Sequence, residues 1–157
     1  MDEDRLIRSA AKYVSDQPSV EGWKTNDLLT ALAMETEGQA KGQASFKALG
    51  TLSEDKLVRA PGLVDLGRRV LRRWNRALHG LACNPSDEDR DLKDKVFKAL
   101  TGAEGGTAIL AGVIVTAFGL NIVAATLVAT LVIRIFADTA GDEVCKWWGE
   151  HLEDVPA

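Results

Sequence analysis

The sequence predicts an all-α protein, a helical bundle around a central apolar helical hairpin, with a small tri-helical unit at its N-terminal end. Three observations carry that prediction. The stretch from Thr107 to Ile133, TAILAGVIVTAFGLNIVAATLVATLVI, holds no charged side chain, and the first one after it is Arg134. It is interrupted at Gly119-Leu120-Asn121, where a residue that readily ends a helix is followed by one that readily caps the next. Elsewhere apolar residues recur at spacings of three and four, and no β pattern shows beyond two or three residues near Leu57-Val58.

The hairpin constrains every other element of the chain. As one unbroken helix the run would extend about 40 Å, enough to cross a bilayer core of about 30 Å. Broken at Gly119–Asn121, it leaves arms Thr107–Phe118 and Ile122–Phe136 of about 18 and 22 Å, each short of a span. No lysine- or arginine-rich collar flanks it, and Arg134 falls inside an apolar register that continues to Ile135 and Phe136. Ala108 with Gly112, and Ala125 with Ala129, put small residues four apart, which lets helix backbones approach closely. The expectation is a hairpin, 107–136, sheltered by the protein's own helices. An apolar hairpin in a helical chain also resembles the buried hairpins of pore-forming helical toxins. That resemblance implies, as an alternative, a membrane partner reached through 107–136.

Composition bounds the rest. A length of 157 residues fits one domain, or an N-terminal unit over 1–60 attached to a larger bundle over 61–157. A hydrophobic fraction of 46% supports a sizeable core. A net charge of -4 and an isoelectric point near 5.2 argue against indiscriminate binding to nucleic acid. The chain opens MDEDRLIRSA, with no apolar leader. The two cysteines, Cys83 and Cys145, are too few and too far apart for a disulfide framework. Free thiols in a reducing cytosol, and a cytoplasmic location of bacterial type, are therefore expected.

Taken in order, Asp4 to Ser15 reads as a helix with Leu6, Ile7, Ala10, Ala11 and Val14 inward. Gln17-Pro18-Ser19 ends it. A second helix runs from about Asn26 to Thr36, capped by Thr25 or Asn26, with Leu28, Leu29, Leu32 and Ala33 inward. After Gly38 and Gly42, Phe46, Leu49 and Leu52 form a short third face, and Leu57-Val58 comes next. These three faces and the Leu-Val pair resemble the tri-helical core of winged-helix domains over about residues 4–60. The resemblance implies nucleic-acid binding through the third helix, which offers Lys41, Gln43, Ser45 and Lys47. No second wing strand is visible, because Pro61-Gly62 leads straight into another helix.

That helix, from about Gly62 to Cys83, turns Leu63, Leu66, Val70, Leu71, Trp74, Leu78 and Leu81 inward. Its outer face carries Arg68, Arg69, Arg72, Arg73 and Arg76, the strongest local charge feature of the chain. A stripe of guanidinium groups suits an anionic partner. The acidic run Asp87-Glu88-Asp89 with Asp91 and Asp94, just across the Asn84-Pro85 turn, is expected to neutralise it. Ser86 and Asp89 form a capping box for a helix ending near Leu100, with Leu92, Val96, Phe97 and Leu100 inward. Beyond the hairpin, Ala140, Val144, Trp147, Trp148 and Leu152 recur at helical spacing.

Chemistry-bearing groups are sparse. His79 and Cys83 lie four apart, a spacing that lets both reach one metal ion, whereas Cys145 and His151 lie six apart on different helix sides. Buried cysteines and surface histidines are expected instead, with no metal and no cofactor. The loop TGAEGGT, residues 101–107, lacks the lysine and the preceding strand of a phosphate cradle, and reads as a connector. The carboxylates sit in runs at helix starts, and no nucleophile motif is present, so no enzyme activity and no small-molecule substrate are expected. Trp147 and Trp148 cannot both face inward, since neighbours on a helix diverge by about 100°. One of them belongs at a rim. The reading is a non-catalytic interaction, adaptor or regulatory module, using Arg68, Arg69, Arg72, Arg73, Arg76, Trp147 and Trp148 toward another protein or itself. Nucleic acid and membrane are its alternative partners.

Overall fold

The apolar run folds back on itself at the residues that interrupt it. In the computed structural model, α5 (Gly106–Phe118) ends at Gly119, whose φ of 68° is the left-handed conformation that glycine adopts without strain. The Gly119 amide donates to the Val115 carbonyl at 3.0 Å and closes the helix end. Asn121 then starts α6 (Ile122–Phe136), its Oδ1 accepting from the Ala124 amide at 2.8 Å. A single side chain therefore sets the direction of the returning arm. No helix among the described residues is long and apolar enough to cross a membrane.

The structure describes residues 2–15, 20, 22–40, 57, 61–84, 90–101, 105–136 and 144–153. Among them are seven helices and no strand, an all-α architecture. Besides the hairpin these are α1 (Asp2–Ser15), α2 (Thr25–Ala40), α3 (Pro61–Cys83), α4 (Arg90–Leu100) and α7 (Val144–Glu150). The third N-terminal face, Phe46 to Leu52, lies outside the described residues, as do the capping box at Ser86 and Asp89 and the neighbours of Leu57. The third helix and the strand on which the resemblance to a winged-helix core depends are therefore outside the described residues.

Packing is set by which faces can be buried. α5 is covered by α1, α4 and α6, while α6 is also covered by α2 and α3. Every residue of α6 from Val123 to Val132 is buried, including Thr126 and Thr130. Those two hydroxyls donate to the carbonyls four residues earlier, at 2.7 and 2.8 Å, so a helix wholly enclosed by apolar neighbours leaves neither donor unmet. α2 is buried over Asp27 to Ala33 because α3 and α6 both pack on it. The apolar faces of α1 and α2 join the same cluster as those of α3 to α7.

Two close approaches fix the crossings. At Gly67 on α3 a Cβ would run into the Leu29 carbonyl of α2. At Gly112 on α5 it would stand 2.8 Å from the Ile7 carbonyl of α1. One inward assignment is corrected. Leu6 is 56% exposed, because α1 turns Ile7 and Val14 to the core and Leu6 points about 100° away from Ile7.

A buried polar contact ties the hairpin turn to the rest. Glu35 of α2 has no exposed surface, and its Oε1 accepts from Asn121 Nδ2 at 2.8 Å. Near the other end of α6, half-buried Arg134 donates to the Trp23 carbonyl and to Thr25 Oγ1, just ahead of and at the start of α2. α2 and α6 are thus joined by hydrogen bonds near both ends of α6, with apolar packing between them.

Candidate functional site

The arginine-bearing face of α3 and the C-terminal helix α7 form one surface. α7 leans chiefly on α3, and three kinds of contact hold it there. Cys83 at the end of α3 is joined to Cys145 in the first turn of α7 by a disulfide, with a Cα–Cα separation of 5.7 Å. This corrects the expectation of free thiols, since there are no free cysteines. It also removes the metal-site possibility, because bridged sulfurs are not thiolate ligands. Among the described residues no group of three histidine, cysteine or acidic side chains is placed to hold a metal ion.

The second contact is Trp148. Its ring is fully buried, edge-on to Phe136 at 5.0 Å and to His79 at 5.4 Å. Its indole N–H donates to Asn75 Oδ1 at 2.6 Å. Burial of a side chain of this size is worth about 3 kcal/mol or more, so Trp148 is the main apolar anchor of α7. Trp147, one residue earlier and about 100° around the helix, is half-buried at the rim and stacks on His151 at 4.4 Å. The expected division between the two tryptophans holds.

His79 is half-buried rather than at the surface. Its Nε2 lies 3.2 Å from the Cys145 carbonyl, which only accepts, so the proton of that bond sits on Nε2. Asn75 was not marked by sequence as a site residue. It is fully buried on the face of α3 under Trp148, and its Nδ2 has no hydrogen-bond partner among the described residues. An orphaned buried donor costs about 1–3 kcal/mol, so the seat of α7 carries a built-in defect. The available signal was an asparagine at a position where the apolar stripe of α3 calls for leucine.

The third contact places a carboxylate on the arginines. Glu153 pairs with Arg76, and its other oxygen lies 3.5 Å from Arg72 Nε. The same Arg72 Nε donates to the Glu153 carbonyl at 3.1 Å. Both bridges are open to water, with Arg72 37% and Glu153 57% exposed, so each contributes at most about 1 kcal/mol. Arg68 pairs with Asp65 on its own helix at 3.2 Å, and Arg73 lies over the Trp74 ring at 5.2 Å. Arg69 is exposed and has no ion-pair partner among the described residues. Among the described residues, the acids that pair with the stripe are Asp65 and Glu153. Of the downstream run, 87–89 lie outside the described residues and Asp94 is exposed.

The remaining candidate, the 101–107 loop, is described at Thr101 and from Gly105 onward. A Cβ at Gly106 would stand 2.7 Å from the Ala99 carbonyl, so this glycine lets α5 start against α4. No protein-family model, curated protein or solved structure matches the chain.

Proposed function

We propose that this chain is a non-catalytic interaction module of the cytoplasm, whose α3 arginine face docks an acidic segment of another protein. One observation carries the reading: the Glu153 carboxylate already sits on Arg72 and Arg76, so the face binds this chemistry when it is offered. The in-cis pair is weak enough to be displaced, since both partners are solvated. Exposed Arg69 and Arg73 widen the face by one helical turn, and planar guanidinium groups suit carboxylates better than ammonium groups do. Trp147 at the adjoining rim offers an aromatic contact of the kind enriched at interfaces.

The test is fluorescence anisotropy with a labelled oligoglutamate peptide. Binding that weakens with added salt, and that falls about tenfold in Arg69→Ala/Arg76→Ala, supports the reading. Equal affinity for duplex DNA of matched charge would turn it into unspecific anion binding. No binding at low salt by the oxidised or the reduced protein would end it.

A further inference from the structure

We propose that the Cys83–Cys145 disulfide is a redox-controlled clasp on the arginine face. Oxidised, it holds α7 on α3 so that Glu153 occupies Arg72 and Arg76. Reduced, it lets α7 depart and opens those arginines to an acidic partner. The proposal rests on the reading of the arginine face given above and adds its regulation.

Four features point to a clasp rather than a permanent staple. α7 has seven residues, far below the length at which a helix holds itself together in water, so its order depends on what it is fastened to. Both bridged cysteines are half-buried, so the bond lies at the margin of the core and not inside it. Beneath α7 the Asn75 amide has no acceptor among the described residues, and departure of the helix lets water supply one. The ion pairs from Glu153 are solvated and exchange readily with another carboxylate. Against these stands the buried Trp148, which makes release a shift of equilibrium and not a complete loss.

The chemistry balances with a dithiol as reductant. Its thiolate attacks one sulfur of the bridge, the other sulfur leaves as a thiolate and takes a proton, and a mixed disulfide forms. The second thiol of the reductant resolves it. Cys83 and Cys145 end as two thiols, and the dithiol ends as its own disulfide.

The experiment compares the full chain, oxidised and treated with dithiothreitol, by hydrogen exchange and by anisotropy with labelled oligoglutamate. Reduction is expected to speed amide exchange across 144–153 at least tenfold, to leave 106–136 protected, and to tighten oligoglutamate binding about tenfold, as the competent fraction grows. Glu153→Gln in the oxidised protein is expected to tighten binding with exchange of α7 unchanged. Unchanged exchange across 144–153 on reduction overturns the clasp, whatever the peptide does. Loss of protection in 106–136 together with 144–153 also overturns it, since the bond would then hold up the whole core. Faster exchange across 144–153 with unaltered affinity overturns the control of the arginines. Failure of oligoglutamate to bind any form, Glu153→Gln and the reduced protein included, removes the arginine-face reading as well.

Discussion

Gly67 and Gly80 lie on the same helix, and the space around each separates two effects of glycine. A Cβ at Gly67 meets the Leu29 backbone, which cannot swing aside, whereas nothing stands within 4 Å of one at Gly80. Gly67→Ala should therefore destabilise the fold by about 2–3 kcal/mol through forced separation of α2 and α3. Gly80→Ala should stabilise it by about 0.5–1 kcal/mol through helix propensity alone. Urea denaturation of both variants checks the pair, and equal effects would mean that the helices are not in backbone contact. Asn121 makes a second residue-scale case, because it caps α6 with one atom and donates to Glu35 with another. Asn121→Ala loses both and should cost about 2–3 kcal/mol, while Asn121→Ser keeps a capping oxygen and should cost less. Denaturant midpoints for the two variants apportion the cap and the buried contact.

Among the elements, the hairpin was the most legible in sequence, for a reason visible in Gly119 and Asn121. Both act through local backbone chemistry, so the break and the restart need no knowledge of the rest of the fold. Inward faces came next, since a stripe such as Val70, Leu71 and Leu78 is dictated by helical period. Leu6 departs from the pattern because an apolar residue at the edge of a stripe is placed by whatever neighbour covers it, and that neighbour is α5, about a hundred residues away. The role of Glu153 is not legible in sequence for the same reason: only tertiary structure brings it to Arg72 and Arg76. The element that tolerates least is α6. Val128→Asp places a carboxylate where no exposed surface exists and should abolish cooperative unfolding altogether, a loss beyond about 4 kcal/mol. Arg72→Ala on α3 should leave circular dichroism unchanged and cost at most about 1 kcal/mol, because its partner is solvated.

For the molecule as a whole, the feature least legible in sequence is the covalent one. Two cysteines separated by 62 positions carry no pairing signal in their spacing, and composition favours thiols. Pairing becomes available once tertiary structure brings the end of α3 beside the first turn of α7. The bond then closes a loop that contains α4, α5 and α6, most of the apolar core. Restricting the unfolded chain over a loop of that length is worth about 4 kcal/mol in the loop-entropy model, and native-state adjustment commonly reduces the gain. Cys83→Ser/Cys145→Ser should accordingly lower unfolding free energy by about 2–4 kcal/mol, with a fall in Tm of roughly 5–15 °C. The variant should still show one cooperative transition, since the clustered side chains of α2, α3, α5 and α6 remain in place. The decisive comparison is oxidised against reduced wild-type in one urea titration, with alkylation and mass measurement confirming two thiols only after reduction. Superimposed curves would mean that the link constrains nothing in the unfolded chain. A reduced protein with no transition would mean that the apolar hairpin depends on the bond for its shelter.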